Sequence, residues 1–506
     1  MSALLKPTSY HKGAALAVAA TFVWKLLSFV NALLIAAWFG ASYKTDIYFY
    51  AIMIVGFGVA FMQRLNATVL IPEAIFLHEK DETSATHFLT NWFFVYLVLG
   101  GLLAALGIFC PVQMGQLVSR FDSAALRAQH ILVSAVFILF ALQLLTYYLQ
   151  SVAEMYRFFK TAWLGVLNAL LPLICLLIYG RQLGLVSMVY GLIAANVLQL
   201  VVYLLMCKRI LKWDFYPHSI TFSTRMRQNA LSGQTLAVLD IVNSLLPVYL
   251  MSGLQAGLIS ALNYCRQLTD TPTEIFTARV SNISKLQLAA DHAQHKPENF
   301  NQHFLKTNHF LLVFLVPLVV FSCYFAPQIV EIFFERGSFN ALDAKNTVLF
   351  LRPMLLTLLL LSLGYMQNSV ISATRTIKES FIYALSSGLF MTVSFAFGIT
   401  YWGAFSYPYL LSAGLLVGFG FNYFLFKKHI PFVSYLTHLK EAVRLSFLGA
   451  VALLVPALTA RILPPDAWTQ ILICGILFVG IYGVLLCTSG DVEKLKNLLK
   501  QPGNGF

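Results

Sequence analysis

Charged residues are scarce in this chain of 506 residues. Only 11% of its residues are Asp, Glu, Lys or Arg, whereas 59% are hydrophobic, and its mean hydropathy is +0.75. Because a soluble protein carries about 25% charged residues, this composition excludes a soluble domain of useful size. Apolar runs of about 20 residues, each long enough to cross a bilayer, recur from end to end. The composition therefore predicts an all-α polytopic membrane protein.

Motifs that carry chemistry are missing as well. The seven cysteines are scattered and have neither metal-ligand spacing nor the pattern of a disulfide framework. The sequence shows no Ser-His-Asp arrangement, no acidic metal cluster and no phosphate-cradling loop. These absences predict a protein that is not an enzyme, with no catalytic residue, no bound metal and no cofactor. A membrane polymerase or acyltransferase would need a reactive histidine or an acidic pair beside a large outer loop, and the sequence offers neither.

The positive charge of the chain is unevenly distributed. Its formal net charge is +13, which in a soluble protein would suggest a nucleic-acid partner. Here Lys and Arg concentrate in the loops on one side of the predicted spans, as the positive-inside rule describes. This asymmetry argues for a membrane protein with no nucleic-acid partner and predicts that both termini are cytoplasmic.

The apolar runs predict about 14 transmembrane helices, and the first twelve contain an internal duplication. V-N-A-L-L at 30–34 recurs as V-N-S-L-L at 242–246, and Y-L-Q at 148–150 recurs as Y-M-Q at 365–367. Each repeat holds six helices, an even number, which predicts two six-helix lobes in a parallel pseudo-two-fold repeat. Transporters with this plan bind substrate between the lobes and rock them for alternating access. The predicted parts are an N-lobe with helices 1–6 (1–210), a C-lobe with helices 7–12 (211–430), and two extra C-terminal helices, 13–14, with a cytoplasmic tail (431–506).

A charged face interrupts the eighth predicted span, residues 257–289. Arg266, Asp270 and Glu274 follow one another at i, i+4 and i+8, which places them on one face of a helix. Charge at bilayer depth is costly and normally faces a bundle interior or a watery cavity. The simpler alternative is that the two carboxylates only pair with Arg266.

Cationic residues occur at several further depths. Lys25 lies near the middle of helix 1, Arg64 in the cytoplasmic half of helix 2, and Arg279 near the cytoplasmic face. Such a lining suits an anionic substrate, above all a phosphate, which Arg binds bidentately and Lys binds as a point charge. For Arg64 and Arg279 the alternative is snorkelling toward the headgroups, or structural pairing with another residue. The predicted substrate-binding residues are Lys25, Arg64, Arg266, Asp270, Glu274 and Arg279.

The seventh predicted span carries another deep carboxylate. Asp240 lies in mid-helix, and Asn243 follows one turn further on. These two residues are predicted to bind a coupling ion, Na+ or H+; the alternative is that Asp240 caps a polar group of a neighbouring helix. Because no nucleotide-binding motif is present, transport is expected to draw on such an ion or on the membrane potential.

Four short segments of the chain carry a family resemblance. They are F-G-A-S followed by T-D at 39–46, the block at 64–73, Y-C-R-Q-L-T-D-T-P at 264–272, and E-R-G-S-F at 335–339. They resemble the MviN/MurJ family of lipid-linked cell-wall precursor flippases, in the multidrug/oligosaccharidyl-lipid/polysaccharide exporter superfamily. The resemblance implies 14 helices, two lobes around a central cationic cavity, and a groove for the lipid tail formed by helices 13 and 14.

The resemblance also assigns individual residues. Helix 1 has Lys25 where the family usually has Arg. An alignment on Tyr264 and Pro272 places Gln267 in the column of a family Arg. Because of these two differences, a related undecaprenyl-diphosphate-linked sugar stays an alternative to lipid II as the substrate. The cavity cations and the reported sodium site of the family fall on Lys25, Arg64, Arg266, Asp240 and Asn243.

The predicted function is that of a flippase in the bacterial inner membrane. It moves a polyprenyl-diphosphate-linked saccharide, a lipid II-like peptidoglycan precursor, from the cytoplasmic to the outer leaflet by alternating access. The alternatives are another undecaprenyl-diphosphate-linked oligosaccharide, of O-antigen or exopolysaccharide type, and a cation-coupled drug antiporter of the same superfamily. A drug antiporter would need an acidic cavity, whereas this one is predicted to be cationic. The expected partners are the lipid-linked saccharide and membrane lipids, and the transporter is expected to be a monomer.

Overall fold

A computed structural model describes residues 10–217 and 224–492 of the chain. Every regular element within these ranges is a helix, and 13 of the helices are long and apolar enough to cross a membrane. These findings confirm the prediction of an all-α polytopic membrane protein. The predicted eighth span is helical from Leu258 to Ala293, but its charged and polar residues leave it outside the set of 13.

The chain divides into two compact units, Met1–Ser260 and Ala261–Phe506. The three parts predicted from the repeat, with boundaries after 210 and 430, stay a prediction. The helices that begin in the first unit are α1 (Tyr10–Phe39), α2 (Tyr43–Leu65), α3 (Ile71–Lys80), α4 (Glu82–Phe109), α5 (Pro111–Val118), α6 (Ser123–Ala128), α7 (His130–Met155), α8 (Leu167–Leu183), α9 (Val186–Arg209), α10 (Thr224–Met251) and α11 (Leu258–Pro272). Those that begin in the second unit are α12 (Ala278–Ala293), α13 (Pro297–Tyr324), α14 (Ala326–Phe334), α15 (Ala341–Ala373), α16 (Ile377–Trp402), α17 (Tyr407–His429), α18 (Tyr435–Ala460) and α19 (Ala467–Thr488).

Side-chain caps fix where helices begin. At the start of α2, the backbone N–H of Ser42 donates to the Thr45 hydroxyl at 2.8 Å, which is half of a capping box. At the start of α4, Asp81 accepts the backbone N–H groups of Thr83 and Ser84 at 3.2 and 2.9 Å. The hydrogen bonds from Ser84 and Thr83 hold the pKa of the Asp81 carboxyl well below its usual range. This cap is therefore ionised at neutral pH and complements the positive end of the helix dipole.

Two π-helical turns interrupt the helices that carry the predicted charged residues. One spans Asn66–Leu70, directly after α2, and the other spans Thr273–Thr277, directly after α11. Arg64 lies two residues before the first turn, and Glu274 lies inside the second. Such turns are rare and occur frequently at functional sites. Their positions therefore support a functional reading of both segments.

A buried polar cluster holds the first π turn in place. The Tyr96 hydroxyl donates to Oδ1 of Asn66 at 2.6 Å, and the Tyr96 ring stacks on Tyr148 with centroids 4.8 Å apart. The Tyr148 hydroxyl donates in turn to the carbonyl oxygen of Leu89 at 2.6 Å. Asn66, Tyr96 and Tyr148 are all buried. Because these hydroxyls are satisfied inside an apolar core, the cluster fixes the backbone just after Arg64.

An aromatic cluster anchors the helix that carries Arg266. The Tyr264 ring of α11 packs against Phe334 and Phe339, with centroids 5.2 and 5.5 Å away. All three side chains are buried. Two of the segments that carry the family resemblance, 264–272 and 335–339, therefore pack together in the second unit.

Candidate functional site

An ion pair joins two residues that the sequence assigned to different roles. Nη1 of Arg64 on α2 donates to Oδ2 of Asp240 on α10 at 2.9 Å. The side chains are 46% and 67% exposed, although both belong to membrane-spanning helices. Charged side chains in membrane-spanning helices usually face a bundle interior or a water-filled cavity. The pair is therefore a candidate for polar contacts on the first unit.

Further polar groups lie beside this ion pair, on α10 and on the π turn that follows α2. The Thr68 hydroxyl donates to the carbonyl oxygen of Arg64 at 2.8 Å, and Nε2 of Gln234 on α10 donates to the Thr68 hydroxyl at 3.2 Å. The Ser244 hydroxyl donates to the carbonyl oxygen of Asp240 at 2.8 Å. Since α10 packs against α2, these contacts hold Arg64 and Asp240 at a fixed distance. We name Arg64, Thr68, Gln234 and Asp240 the α2–α10 polar face.

The other two predicted residues of the first unit are Lys25 and Asn243. Asn243 is half-buried on α10, three residues after Asp240. Lys25 is half-buried on α1, and its Nζ lies 5.0 Å from the ring centroid of Trp24. This distance is within the range of a cation–π interaction. The roles predicted for Lys25 and Asn243 stay predictions.

Arg266 is held by a tyrosine that the sequence did not single out. Nη2 of Arg266 donates to the Tyr407 hydroxyl at 3.0 Å, and the guanidinium centre lies 5.8 Å from the Tyr407 ring centroid. Tyr407 is buried at the first residue of α17. Tyr407 thus orients the guanidinium through one of its N–H groups. The geometry therefore presents a positioned cation.

The carboxylates after Arg266 are more accessible than the arginine. Asp270 and Glu274 are exposed, whereas Arg266 and Arg279 are half-buried. The π turn Thr273–Thr277 adds a residue to one helical turn, which rotates the following side chains relative to a regular helix. The single charged face predicted for this helix, and the substrate contacts of its residues, stay predictions.

A buried carboxylate fixes the start of α11. Asp46 is 2% exposed and accepts the backbone N–H groups of Gly257 and Ser260 at 2.6 and 2.7 Å. It also accepts the Ser260 hydroxyl at 2.6 Å. Gly257 has a φ of +91°, and a Cβ there would lie 2.9 Å from the carbonyl oxygen of Ala41, so only glycine fits. The T-D of the resemblance thus caps the helix that carries Arg266 two turns later.

Comparison with solved structures places this fold among known transporters. A lipid II flippase MurJ in an inward closed conformation superposes with a TM-score of 0.75 at 20% identity, covering 94% of this chain and 99% of that one. An inward-facing MATE multidrug resistance transporter of the MOP superfamily gives 0.57 at 14% identity, covering 79% and 98%. An outward-facing MATE transporter gives 0.54 at 13% identity, covering 82% and 96%. No curated protein sequence is significantly similar to the chain.

The sequence itself matches one family. The family model described as lipid II flippase MurJ matches residues 35–478. This range includes the α2–α10 polar face, Arg266 and Asp46. The match confirms the resemblance inferred from the four short segments. The chain therefore belongs to the MurJ family of lipid II flippases.

Proposed function

We propose that this protein moves lipid II, or a closely related polyprenyl-diphosphate-linked saccharide, from the cytoplasmic to the outer leaflet of the bacterial inner membrane. The family match over residues 35–478 carries this proposal. The positioned guanidinium groups of Arg64 and Arg266 support it, because Arg binds phosphate oxygens bidentately. The protein acts as a transporter and not as an enzyme, and it works as a monomer.

Transport of purified protein tests the proposal directly. Proteoliposomes would carry fluorescent lipid II in both leaflets, and a reagent added outside would report the fraction that crosses. We expect lipid II to cross much faster than in protein-free vesicles. If an undecaprenyl-diphosphate-linked O-antigen unit crosses faster than lipid II, this alternative lipid and not lipid II is the substrate. Movement of neither lipid, together with proton- or sodium-driven drug uptake, would contradict the proposal.

The α2–α10 polar face suggests how substrate and ion are coupled. A diphosphate that binds Arg64 competes with Asp240 for the same donors. Asp240 is then free to bind Na+ or a proton during the cycle. An interior-negative potential favours outward movement of anionic charge by about 2.3 kcal/mol per elementary charge per 100 mV. The potential and the ion are therefore proposed as the two sources of energy.

We predict that Asp240→Asn slows flipping by about 10-fold without preventing lipid II binding. The amide can no longer bind the ion or displace the substrate from Arg64, and a lost charged hydrogen bond is worth about 1.5–3 kcal/mol. Flipping would be measured with and without a valinomycin-set potential, and with and without sodium. If the protein without substitutions flips lipid II at the same rate in all four conditions, this coupling is disproved.

An exchange of the two charges separates structure from transport. The double variant Arg64→Asp with Asp240→Arg keeps the ion pair between α2 and α10. If the pair only holds the helices together, this variant should flip lipid II normally. We expect it to fold and to remain inactive, because the cation now lies on the wrong helix.

The orientation of the chain gives a further prediction. The distribution of Lys and Arg predicts that Gly337 lies outside and Lys212 inside. A membrane-impermeant thiol reagent added to intact cells should therefore label Gly337→Cys and not Lys212→Cys, in a background lacking Cys110 and Cys323, the half-buried cysteines at the predicted outer ends of α4 and α13. The reverse labelling would invert the topology and place both termini outside the cytoplasm.

A further inference from the structure

A polar cavity lies beside the hairpin that α12 and α13 form in the second unit. Its volume is about 580 Å³, within the range of about 300–1,000 Å³ that is usual for sites of small organic ligands. The residues that line it run from Leu286 on α12 to Lys306 on α13. We name it the α12–α13 cavity.

The lining of this cavity suits a hydrophilic ligand. Eight of its ten lining residues are polar or charged. Four of the eight are carboxamides, from Gln287, Gln294, Asn299 and Gln302. A carboxamide both donates and accepts hydrogen bonds, which matches the hydroxyl groups of a saccharide and the amide groups of a peptide. Burying such groups against hydrocarbon is costly, so the cavity does not suit the polyprenyl tail.

Two lysines make the cavity cationic. Lys296 lies at the turn of the hairpin, where its Nζ donates to Oε1 of Gln294 at 2.8 Å. Lys306 is half-buried and lies roughly 15 Å further along α13, at 1.5 Å per residue. Among residues 10–217 and 224–492, no salt bridge involves either lysine. The two ammonium groups therefore suit a ligand that carries anionic groups at separate positions.

The carboxylate of the lining already has a cationic or hydrogen-bonding neighbour. Oδ2 of Asp291 lies 2.5 Å from Nδ1 of His303, and this contact joins α12 to α13. The Asp291 and His303 side chains are 13% and 31% exposed. The pair therefore shapes the wall of the cavity, and the lysines set the sign of its charge.

The cavity continues the helical segment that carries Arg266. The segment is helical from Leu258 to Ala293, and Gln287 follows Arg266 by 21 residues. At 1.5 Å per residue this is roughly 30 Å, about the thickness of the hydrocarbon core. The distribution of Lys and Arg predicts that this end of the segment is cytoplasmic. The cavity is therefore expected on the side from which the substrate starts.

We propose that the α12–α13 cavity binds the head group of the lipid-linked substrate, an anionic saccharide–peptide, before transport. This inference rests on the proposed function for the identity of the substrate. The carboxamides bind sugar hydroxyls and peptide amides, and Lys296 and Lys306 bind carboxylate or phosphate oxygens. The diphosphate is common to lipid II and to the alternative lipid-linked saccharides, so its binding cannot distinguish them. The head group differs among them, and the cavity is the site that selects it.

Binding of the head group without its lipid tail tests this proposal. Full-length purified protein would be titrated, by calorimetry, with the water-soluble head group released from lipid II. We expect the double variant Lys296→Ala with Lys306→Ala to bind it at least about 10-fold more weakly, because charge-assisted hydrogen bonds are lost. Lys428→Ala removes an exposed lysine at the end of α17 and should bind it normally. An affinity unchanged in the double variant would overturn the proposal.

Protection of a thiol gives an independent result that keeps both lysines. Ala290→Cys places a thiol in the lining of the cavity, in a background where the exposed and half-buried cysteines are serine. The head group should slow the labelling of this thiol and leave that of Lys428→Cys unchanged. Equal slowing at both positions would overturn the proposal. So would equal protection of Ala290→Cys by inorganic diphosphate, because the cavity would then bind phosphate alone.

The flipping assay separates this proposal from the proposed function. If the protein without substitutions flips lipid II but its cavity thiol is not protected by the head group, the cavity is not a head-group site and the function stands. If the head group protects the thiol but lipid II does not cross the membrane, the binding site stands and the function is contradicted.

Discussion

Flipping of lipid II by Arg266→Ala is expected to fall by about 10- to 100-fold, while the protein still accumulates in the membrane. The loss corresponds to one or more charged hydrogen bonds, each worth about 1.5–3 kcal/mol. Tyr407 orients the guanidinium through a 3.0 Å hydrogen bond, so alanine removes a positioned cation and not a mobile one. The measurement is the initial flipping rate in proteoliposomes at equal protein content.

Three companion variants make this result specific. Arg266→Lys keeps the charge but loses the planar fork, and we expect an intermediate rate. Tyr407→Phe leaves the arginine and removes only the hydroxyl that orients it, so the rate should fall less than for Arg266→Ala. Arg461→Ala removes an exposed arginine between α18 and α19 and should have no effect. Normal flipping by Arg266→Ala would reduce Arg266 to a structural residue.

The largest loss of stability is expected for Asp46→Ala. The change removes an acceptor of two backbone N–H groups and one hydroxyl, all within 2.7 Å. These buried donors then lack a partner, and each charged hydrogen bond contributes about 1.5–3 kcal/mol. We expect a loss of at least about 3 kcal/mol, seen as a clear fall in Tm of the purified protein.

An exposed cap provides the matched control. Asp81 also accepts two backbone N–H groups at a helix start, but it is exposed. Asn and Asp are nearly equivalent at such positions, so Asp81→Asn should leave Tm almost unchanged. Asp46→Asn should still be destabilising, because its NH2 group would face buried donors. Equal Tm values for the two Asn variants would show that Asp46 is not a structural cap.

The fold was largely predictable because it depends on composition. Runs of apolar residues of bilayer length report a spanning helix whatever the neighbouring helices are. The helical segment from Leu258 to Ala293 is the exception. Its charged and polar residues make it too polar to be recognised as a spanning helix from hydropathy alone. The predicted count of about 14 therefore includes this helix, whereas hydropathy alone recovers 13.

The contacts of the candidate site were much less predictable. Arg64 and Asp240 were both singled out, yet their pairing across 176 residues depends on how α10 packs against α2. Tyr407 was missed because a tyrosine at a helix start gives no signal in the sequence. The contacts of His309 with Glu441 and of Arg444 with Asp491 were also missed, since spacing along the chain does not show that α13, α18 and the segment after α19 lie together. The resemblance located Asp46 but did not say what it does.

The cap formed by Asp46 also bears on how the protein is made. Its partner Gly257 is 211 residues further along the chain. A nascent chain that has inserted only its first six predicted helices, up to residue 210, would therefore bury this carboxylate without the backbone donors that stabilise it. The first unit becomes complete only when α10 and the first turn of α11 have left the ribosome. Assembly of this unit is thus tied to the synthesis of slightly more than half of the protein.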